Sequence, residues 1–281
     1  MVSLRSRMAL TAADLRRHAP AATVPLLVRV ATRAERRSAR VMERARANMR
    51  FLLDEARPGS DIEGLAAAYV EHRRWRTETR WHPERYGDPV PVHGVEDVAG
   101  LDGALVTFVH HGPFELVGTS LGAHGLPVSV MANQTLMVED AQPWLRQVVV
   151  NANRGCEVFS SAEGSAGVRR RLREGRLVLS ALDVPGRTPT DFVGRHLVGS
   201  SGAVRIAHQI DAPVVPMTAR RDEDGSAYFQ LGAPLRPPDF ADPTELLTAL
   251  LSRHEGPVLD WPEAYDDPLS KWVVPERETA A

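Results

Sequence analysis

The amino-acid sequence predicts an α/β protein with a mixed, mostly parallel central sheet flanked by helices and preceded by an N-terminal helical segment. From Leu101 onward, short apolar runs rich in β-branched residues alternate with stretches of helical periodicity. Before residue 85, apolar side chains recur at helical spacing among arginines. A proline-rich link from Tyr86 to His93 separates the two parts. We therefore expect a helical segment over residues 1–90 and an α/β domain over residues 91–281.

The N-terminal segment is predicted to be helical over residues 10–85. Thr11 is a candidate cap for its first helix, and apolar residues at helical spacing predict a helix over 31–55 that Pro58 and Gly59 end. Ser60 or Asp61 then starts another helix. The apolar side of that helix comprises Leu65, Ala68, Tyr69 and Trp75.

The second part alternates between strands and helices. Gly175 ends one predicted helix, and the Asp242-Pro243 pair is typical of a helix start. The strands are predicted over 104–109, 127–131, 157–159, 177–182, 213–218 and 228–231. The helices are predicted over 113–122, 141–153, 165–174, 201–210 and 244–254, with Gly256 ending the last.

Charge and cysteine content indicate which binding partners and which cellular compartment to expect. A formal charge of −2 gives no reason to expect nucleic acid, but residues 1–85 carry a net charge of +8 and the remainder −10. The Arg-rich N-terminal helices form either an ordinary solvated face or a surface that contacts anionic membrane lipids. Cys156 is the single cysteine, which favours a reducing compartment. No apolar run approaches the ~20 residues of a membrane span. We therefore expect a cytoplasmic protein, either free or at the inner face of the cell membrane.

The stretch from Leu105 to Gly122 contains the strongest candidate site. An apolar strand ends near His110, and Pro113 is suited to the first position of the helix that follows. Glu115 falls in the first turn of that helix, where the helix dipole favours a carboxylate. A carboxylate that orients an imidazole makes it a general base. We therefore predict that His110 and Glu115 form a catalytic pair.

The spacing from His110 to Glu115 resembles the His-x4-Asp/Glu signature of the glycerolipid and lysophospholipid acyltransferase superfamily. Further segments resemble the superfamily in the same order along residues 40 to 272. They are Leu172 to Asp183, Phe192-Val193-Gly194 with Gly202-Ala203, Ala212 to Pro216, and Trp261-Pro262-Glu263 with Trp272. The last of these segments resembles the C-terminal Pro-Glu/Trp segment of one branch of the superfamily. This branch contains the lipid A late acyltransferases and the phosphatidylinositol mannoside acyltransferases.

This resemblance implies transfer of a fatty acyl group from acyl-CoA or acyl carrier protein to a hydroxyl of a lipid or glycolipid, without a metal or bound cofactor. Two positions depart from the mannoside branch, because Asn151 stands where an arginine is usual and Arg195 where a glutamate is usual. The acceptor therefore stays open, and a natural-product hydroxyl or amine is an alternative.

Four residues are candidates for substrate binding. Asp183 ends a predicted strand before a Pro-Gly turn, where it either binds the acceptor or caps the turn. Arg187 is a candidate for the phosphates of the acyl donor. Arg154 and backbone N–H groups, with Gly112 among the candidates, are expected to stabilise the oxyanion of the tetrahedral intermediate.

The sequence also contains features that are typical of other chemistries. Gly118 to Gly122 matches Gly-x-Ser-x-Gly, which makes Ser120 the candidate nucleophile of a serine hydrolase. Only eight residues separate His111 from Ser120, too few to leave one strand and return on another. A metal site built from Glu115 and the histidines at 93, 110, 111 and 124 lacks a known zinc spacing. A non-catalytic lipid-binding relative of the superfamily is a further alternative.

Overall fold

A computed structural model describes residues 20–81, 88–137, 149 and 153–272. The strands of its central sheet are β1 (Val92–His93), β2 (Ala104–Phe108), β3 (Val128–Ala132), β4 (Glu157–Ser160), β5 (Leu177–Ala181), β8 (Val214–Arg221) and β9 (Ala227–Leu231). Two more strands, β6 (Thr188–Phe192) and β7 (Arg195–Gly199), form a separate hairpin. The helices are α1 (Val24–Arg36), α2 (Ala39–Leu53), α3 (Ile62–Trp81), α4 (Glu96–Ala99), α5 (Val117–Gly122), α6 (Gln134–Met137), α7 (Gly164–Arg173), α8 (Gly202–Gln209), α9 (Pro243–Asp260) and α10 (Pro268–Lys271).

The central sheet has the strand order β1-β9-β8-β2-β5-β3-β4. All its pairings are parallel except that of β8 with β9. The predicted fold class, a mixed and mostly parallel sheet flanked by helices, is therefore confirmed. Strand β2 lies at the centre, with β5 on one side and β8 on the other. Phe108 at the end of β2 pairs with Ala181 at the end of β5, so the segments that follow these two strands emerge side by side.

Both faces of the sheet are buried. Side chains alternate across a strand, so Leu105 joins the hydrophobic core on one face while Ala104 and Val106 join the core on the other. Continuous apolar runs such as Leu177 to Leu179 are the result of this two-sided burial. The helices on the two faces cover the sheet, and its carboxyl edge, where β2 and β5 end, remains accessible for a site.

The N-terminal helices pack on the sheet. Met49 and Leu52 of α2 and Val70 of α3 belong to the same buried cluster as Leu105 and Val178 of the sheet. The helical segment therefore shares a core with the α/β part. The predicted domain boundary near residue 90 stays a prediction. In the described part of the chain, no helix is both long enough and apolar enough to cross a membrane.

The short elements β1, α4, α6 and α10 were not predicted, and three further differences have a clear physical reason. The helix predicted over 31–55 is divided, because α1 ends at Arg36 and Ser38 adopts an extended conformation before α2. Helix α9 continues past Gly256 and Pro257 to Asp260, since buried Val258 extends its apolar face beyond the point where these residues would end it. The β6–β7 hairpin was not predicted, because its turn, Val193-Gly194 with positive φ at both residues, lacks the usual Asn or Asp.

Two predicted features lie wholly or mostly outside the described residues. They are the cap at Thr11 with its helix, and the helix over 141–153, along with Asn151. The remaining strands lie within a few residues of their predicted bounds.

Candidate active site

The site forms where β2 and β5 end. His110 and Asp183 each lie two residues beyond the paired residues Phe108 and Ala181, which brings them next to each other. The Nδ1 atom of His110 lies 2.8 Å from Oδ1 of Asp183. The backbone N–H of His110 donates to Oδ2 of the same carboxylate at 2.8 Å. The ring of His110 is therefore held by a residue 73 positions later in the chain.

Asp183 is wholly buried behind the ring. Its Oδ2 also accepts a hydrogen bond from the hydroxyl of Tyr265 at 2.7 Å, and that hydroxyl accepts one from Nε1–H of Trp272 at 3.1 Å. Burial by itself would raise the pKa of Asp183, but the charge of the His110 ring and the hydrogen bonds from His110 and Tyr265 outweigh it and lower the pKa. Asp183 is therefore a carboxylate at neutral pH.

The charge state of Asp183 determines the tautomer of His110. A carboxylate only accepts hydrogen bonds, so the proton of a neutral His110 ring must be on Nδ1. The other ring nitrogen, Nε2, then carries a lone pair and is basic. The side chain of His110 is 19% exposed, and the ring of Phe114 packs edge-on against it at 4.6 Å between centroids. The arrangement has the chemistry of a general base oriented by a buried carboxylate.

Glu115 has a different position from the one predicted for it. The carboxylate on Nδ1 of His110 is that of Asp183, and Glu115 forms a 2.6 Å ion pair with Arg76 of α3. Arg76 also pairs with Asp266 at 2.9 Å and lies over the ring of Phe114. The predicted orienting role of Glu115 is thus taken by Asp183. Glu115 lies in the 3₁₀ turn before α5 and links this turn to α3.

Asp183 in turn differs from its predicted role. A wholly buried carboxylate whose two oxygens accept three hydrogen bonds from the protein has no free face for an acceptor substrate. Its position behind His110 makes it a positioning residue. Its predicted contact with substrate is therefore wrong in this structure.

Gly112 is held by backbone contacts. Its N–H donates to the carbonyl of Ala264 at 3.2 Å, so this group is not free for an oxyanion. Its φ is +62°, and a Cβ atom built on it would lie 2.5 Å from Cβ of Ala219. Glycine is required here because the loop after β2 passes close to β8 in a left-handed conformation. The predicted use of Gly112 in substrate binding is therefore corrected to a structural one.

The two predicted arginines lie in different places. Arg154 precedes β4, and all of the strands β2, β3, β4 and β5 run parallel, so it lies at the amino edge of the sheet, opposite His110. This position does not suit it to the oxyanion role. Arg187 is exposed in the turn between Asp183 and β6, on the carboxyl edge with His110. Its predicted contact with donor phosphate stays a prediction.

A segment near the C-terminus closes the back of the site. We call residues 261–267 the C-terminal strap. It pairs with the loop after β2 through a bridge between His111 and Tyr265, and the N–H of Asp266 donates to the carbonyl of His110 at 2.8 Å. His111 is buried, and its Nε2–H donates to the carbonyl of Trp261 at 2.9 Å. His111 is thus structural.

Three buried histidines lie near the His110–Asp183 pair. Burial lowers the pKa of His72, His111 and His254 to about 4, so all three are neutral at physiological pH. The Nε2 atoms of His72 and His254 have no hydrogen-bond partner among the described residues. His110, with its partner Asp183, is the histidine of this region that combines partial exposure with an orienting carboxylate.

The hydrolase alternative does not fit the geometry. Ser120 lies within α5 with no exposed surface, and its hydroxyl accepts a hydrogen bond from the N–H of Val90 at 2.8 Å. A hydrolase nucleophile stands at the tip of its own strand, whereas Ser120 follows the same strand as His110. In the described part of the chain, no three or more His, Cys, Asp or Glu side chains are grouped to hold a metal ion.

Tyr265, Trp272 and Arg76 were not predicted as parts of the site. The family resemblance covers Trp261, Glu263 and Trp272, and Tyr265 lies between them. A tyrosine among prolines and tryptophans is the sequence signal that could have indicated the strap. Nothing in the spacing of Arg76 distinguishes it from the other arginines of α3.

The architecture defines an α/β protein with a carboxylate-oriented histidine at the carboxyl edge of its sheet. A family model described as bacterial lipid A biosynthesis acyltransferase matches residues 16–266. The chain therefore belongs to this family, and it is an acyltransferase of lipid biosynthesis. The expected superfamily is thereby confirmed.

Comparison with solved structures finds a similar chain, the 1-acyl-sn-glycerophosphate (LPA) acyltransferase PlsC from Thermotoga maritima. The identity is 14% and the TM-score 0.45, over 70% of this chain and 83% of that one. No curated protein matches the chain significantly.

Proposed function

We propose that the protein transfers a fatty acyl group from an acyl thioester to a hydroxyl group of a lipid or glycolipid, with His110 as the general base. The observation that carries the proposal is the contact between Nδ1 of His110 and the buried carboxylate of Asp183. This contact leaves Nε2 as the basic atom on the accessible side of the ring. The family match supports acyl transfer as the reaction class.

In the proposed reaction, the acceptor oxygen attacks the thioester carbonyl carbon while Nε2 of His110 removes the hydroxyl proton. A C–O bond forms, and the carbonyl becomes a tetrahedral oxyanion. The C–S bond then breaks, and the departing sulfur takes the proton from Nε2. The products are an ester and a free thiol. The charge of Asp183 stabilises the imidazolium formed between the two proton transfers.

The donor is proposed to be acyl-CoA or acyl carrier protein. Both carry the acyl group on a phosphate-containing arm, and Arg187 is an exposed guanidinium on the same edge of the sheet as His110. Besides the exchange of the C–S bond for a C–O bond, the proposed reaction requires only the two proton transfers, which His110 carries out.

The protein is further proposed to act at the cytoplasmic face of a membrane through α1. Leu26, Leu27 and Val30 of this helix are 61%, 42% and 57% exposed. At ~100° per residue they lie on one side of the helix, and Arg29 and Arg33 lie along one edge of this side, next to Leu26. An apolar strip bordered by arginines is typical of a helix that lies in the interface of an anionic bilayer.

The proposed function is tested with palmitoyl-CoA as donor and a bacterial polar lipid extract as acceptor. We expect His110→Ala to lower the rate of ester formation by roughly 10²- to 10⁴-fold, the usual contribution of a general base. His196→Ala is the matched control, because His196 is 94% exposed on the β6–β7 hairpin. A His110→Ala protein that retains full activity, or an acyl adduct on Ser120 found by mass spectrometry, would contradict the proposal.

A further inference from the structure

A cavity of about 700 Å³ lies between α2 and α3, apart from the residues that orient His110. Its wall includes Arg40, Arg44 and Arg73. Its apolar lining comprises Val41, Ala45, Ala47 and Val70, with Ser38, Glu43 and Tyr69 completing the wall. Cationic groups and an apolar floor thus share one concave surface.

Two of the three guanidinium groups are available for a ligand. Arg44 forms a 2.9 Å ion pair with Asp267 of the C-terminal strap. Arg40 and Arg73 are exposed and form no ion pair with the residues that the structure describes. Glu43 is the one carboxylate in the lining, so the cavity keeps a positive charge. Guanidinium groups bind phosphate through paired hydrogen bonds, which makes a phosphate the anion that suits this wall.

The volume indicates more than a bare phosphate. At about 30 Å³ for each water molecule, the cavity holds roughly twenty waters. An inorganic phosphate would leave most of this space filled with water, including the part next to Val41 and Ala47, the partly exposed apolar side chains of the lining. A ligand that carries an apolar body next to its phosphate would instead displace the water from Val41 and Ala47, whereas Ala45 and Val70 beneath them are already buried.

We infer that this cavity binds a single phospholipid molecule, with Arg40 and Arg73 as ligands of its phosphate and the floor in contact with the glycerol and first methylenes. The site differs from a general attraction to anionic membranes, because it requires two particular arginines over an apolar surface. Binding here is independent of the proposed chemistry at His110.

The cavity is close to the active site along α3. Tyr69, Arg73 and Arg76 lie on one side of this helix at spacings of four and three residues, and one turn spans about 5 Å. Tyr69 also accepts a hydrogen bond from the N–H of Asp267, the residue that pairs with Arg44. A lipid in the cavity would therefore lie beside the strap whose Asp266 N–H holds the carbonyl of His110.

The test measures binding of monomeric dihexanoyl phosphatidic acid to the full chain by titration calorimetry. The variant Arg40→Gln/Arg73→Gln removes both proposed ligands. The control Arg37→Gln/Arg50→Gln removes the same charge from exposed arginines next to or on α2 that do not line the cavity. We expect the cavity variant to bind about 100-fold more weakly, roughly tenfold for each charge-assisted hydrogen bond lost, and the control to bind like the unmodified protein.

Each other outcome would overturn the inference. Equal losses in the two variants would show that binding depends on overall charge, and absence of binding to the unmodified protein would remove the site altogether. Inorganic phosphate is titrated in parallel. If it binds as tightly as the short-chain lipid, the floor contributes nothing and the assignment to a phospholipid is wrong. Because the readout is binding, these results are separate from any change in acyl transfer.

Discussion

Replacement of Asp183 by asparagine tests the tautomer argument, because asparagine keeps the side-chain shape but replaces one oxygen with an NH₂ group. Oδ2 of Asp183 accepts from two donors, the N–H of His110 and the hydroxyl of Tyr265. An amide NH₂ group at that position would face both donors and could not accept a hydrogen bond from either of them. The amide should therefore turn its nitrogen towards Nδ1 of His110, which must then accept a hydrogen bond and lose its proton.

The expected effect on catalysis is large. With the proton of the neutral ring on Nε2, the atom that faces substrate is no longer a base. We expect kcat to fall by about 10³- to 10⁴-fold, which is about 4 to 5.5 kcal/mol at ~1.36 kcal/mol for each factor of ten. Because Asp183 has no exposed surface, KM for palmitoyl-CoA should change little. Release of free CoA in the presence of the lipid extract measures both constants.

A second substitution, at Tyr265, removes one of these two hydrogen-bond donors. In Asp183→Asn/Tyr265→Phe, one of the two donors at the Oδ2 position is absent, so the opposite amide orientation becomes less costly. The double variant should therefore recover about tenfold of the lost kcat, whereas additive damage would lower it further. Thermal unfolding of each variant checks that it is folded. An Asp183→Asn protein with more than a tenth of the original kcat would refute the tautomer argument.

Three other measurements test the surrounding structure. Gly112→Ala should destabilise the protein by about 1–3 kcal/mol more than Gly59→Ala in chemical unfolding. Both glycines have positive φ, but only at Gly112 would a Cβ atom clash with a neighbour. Equal losses of stability in the two variants would contradict this packing argument. The three buried histidines have a pKa of about 4 in the folded protein and 6.5 in the unfolded chain, which binds more protons between these values. The free energy of unfolding should thus fall as pH is lowered from about 6.5 to 4, by up to ~1.4 kcal/mol per pH unit for each histidine. His254→Leu removes one of these groups and should reduce the slope of unfolding free energy against pH. An unchanged slope would contradict the prediction. Leu26→Ser/Val30→Ser should weaken sedimentation with vesicles containing phosphatidylglycerol by about tenfold or more, whereas Met137→Ser, at an exposed apolar residue outside α1, should not; the idea fails if both behave alike.

Local patterns predicted most elements because each depends on neighbouring residues. The strand ending before His110 was predicted from its β-branched run, and the start of α9 from Asp242, whose side chain accepts hydrogen bonds from the N–H groups of Thr244 and Glu245. The end of α9 was not predictable in this way. Burial of Val258 extends that helix through Gly256 and Pro257, so the stability came from packing that local propensity does not include.

By itself, the sequence determined the fold class and the position of His110, because the apolar run of β2 and the turn after it place a histidine at the carboxyl edge of a sheet. Only the tertiary structure decided which carboxylate holds its ring. Glu115 was favoured by being five positions away, but Asp183 is the partner because β2 pairs with β5 in a register that aligns Phe108 with Ala181. Strand adjacency and register arise from burial of both sheet faces, a property of the whole chain that the spacing of two residues does not encode.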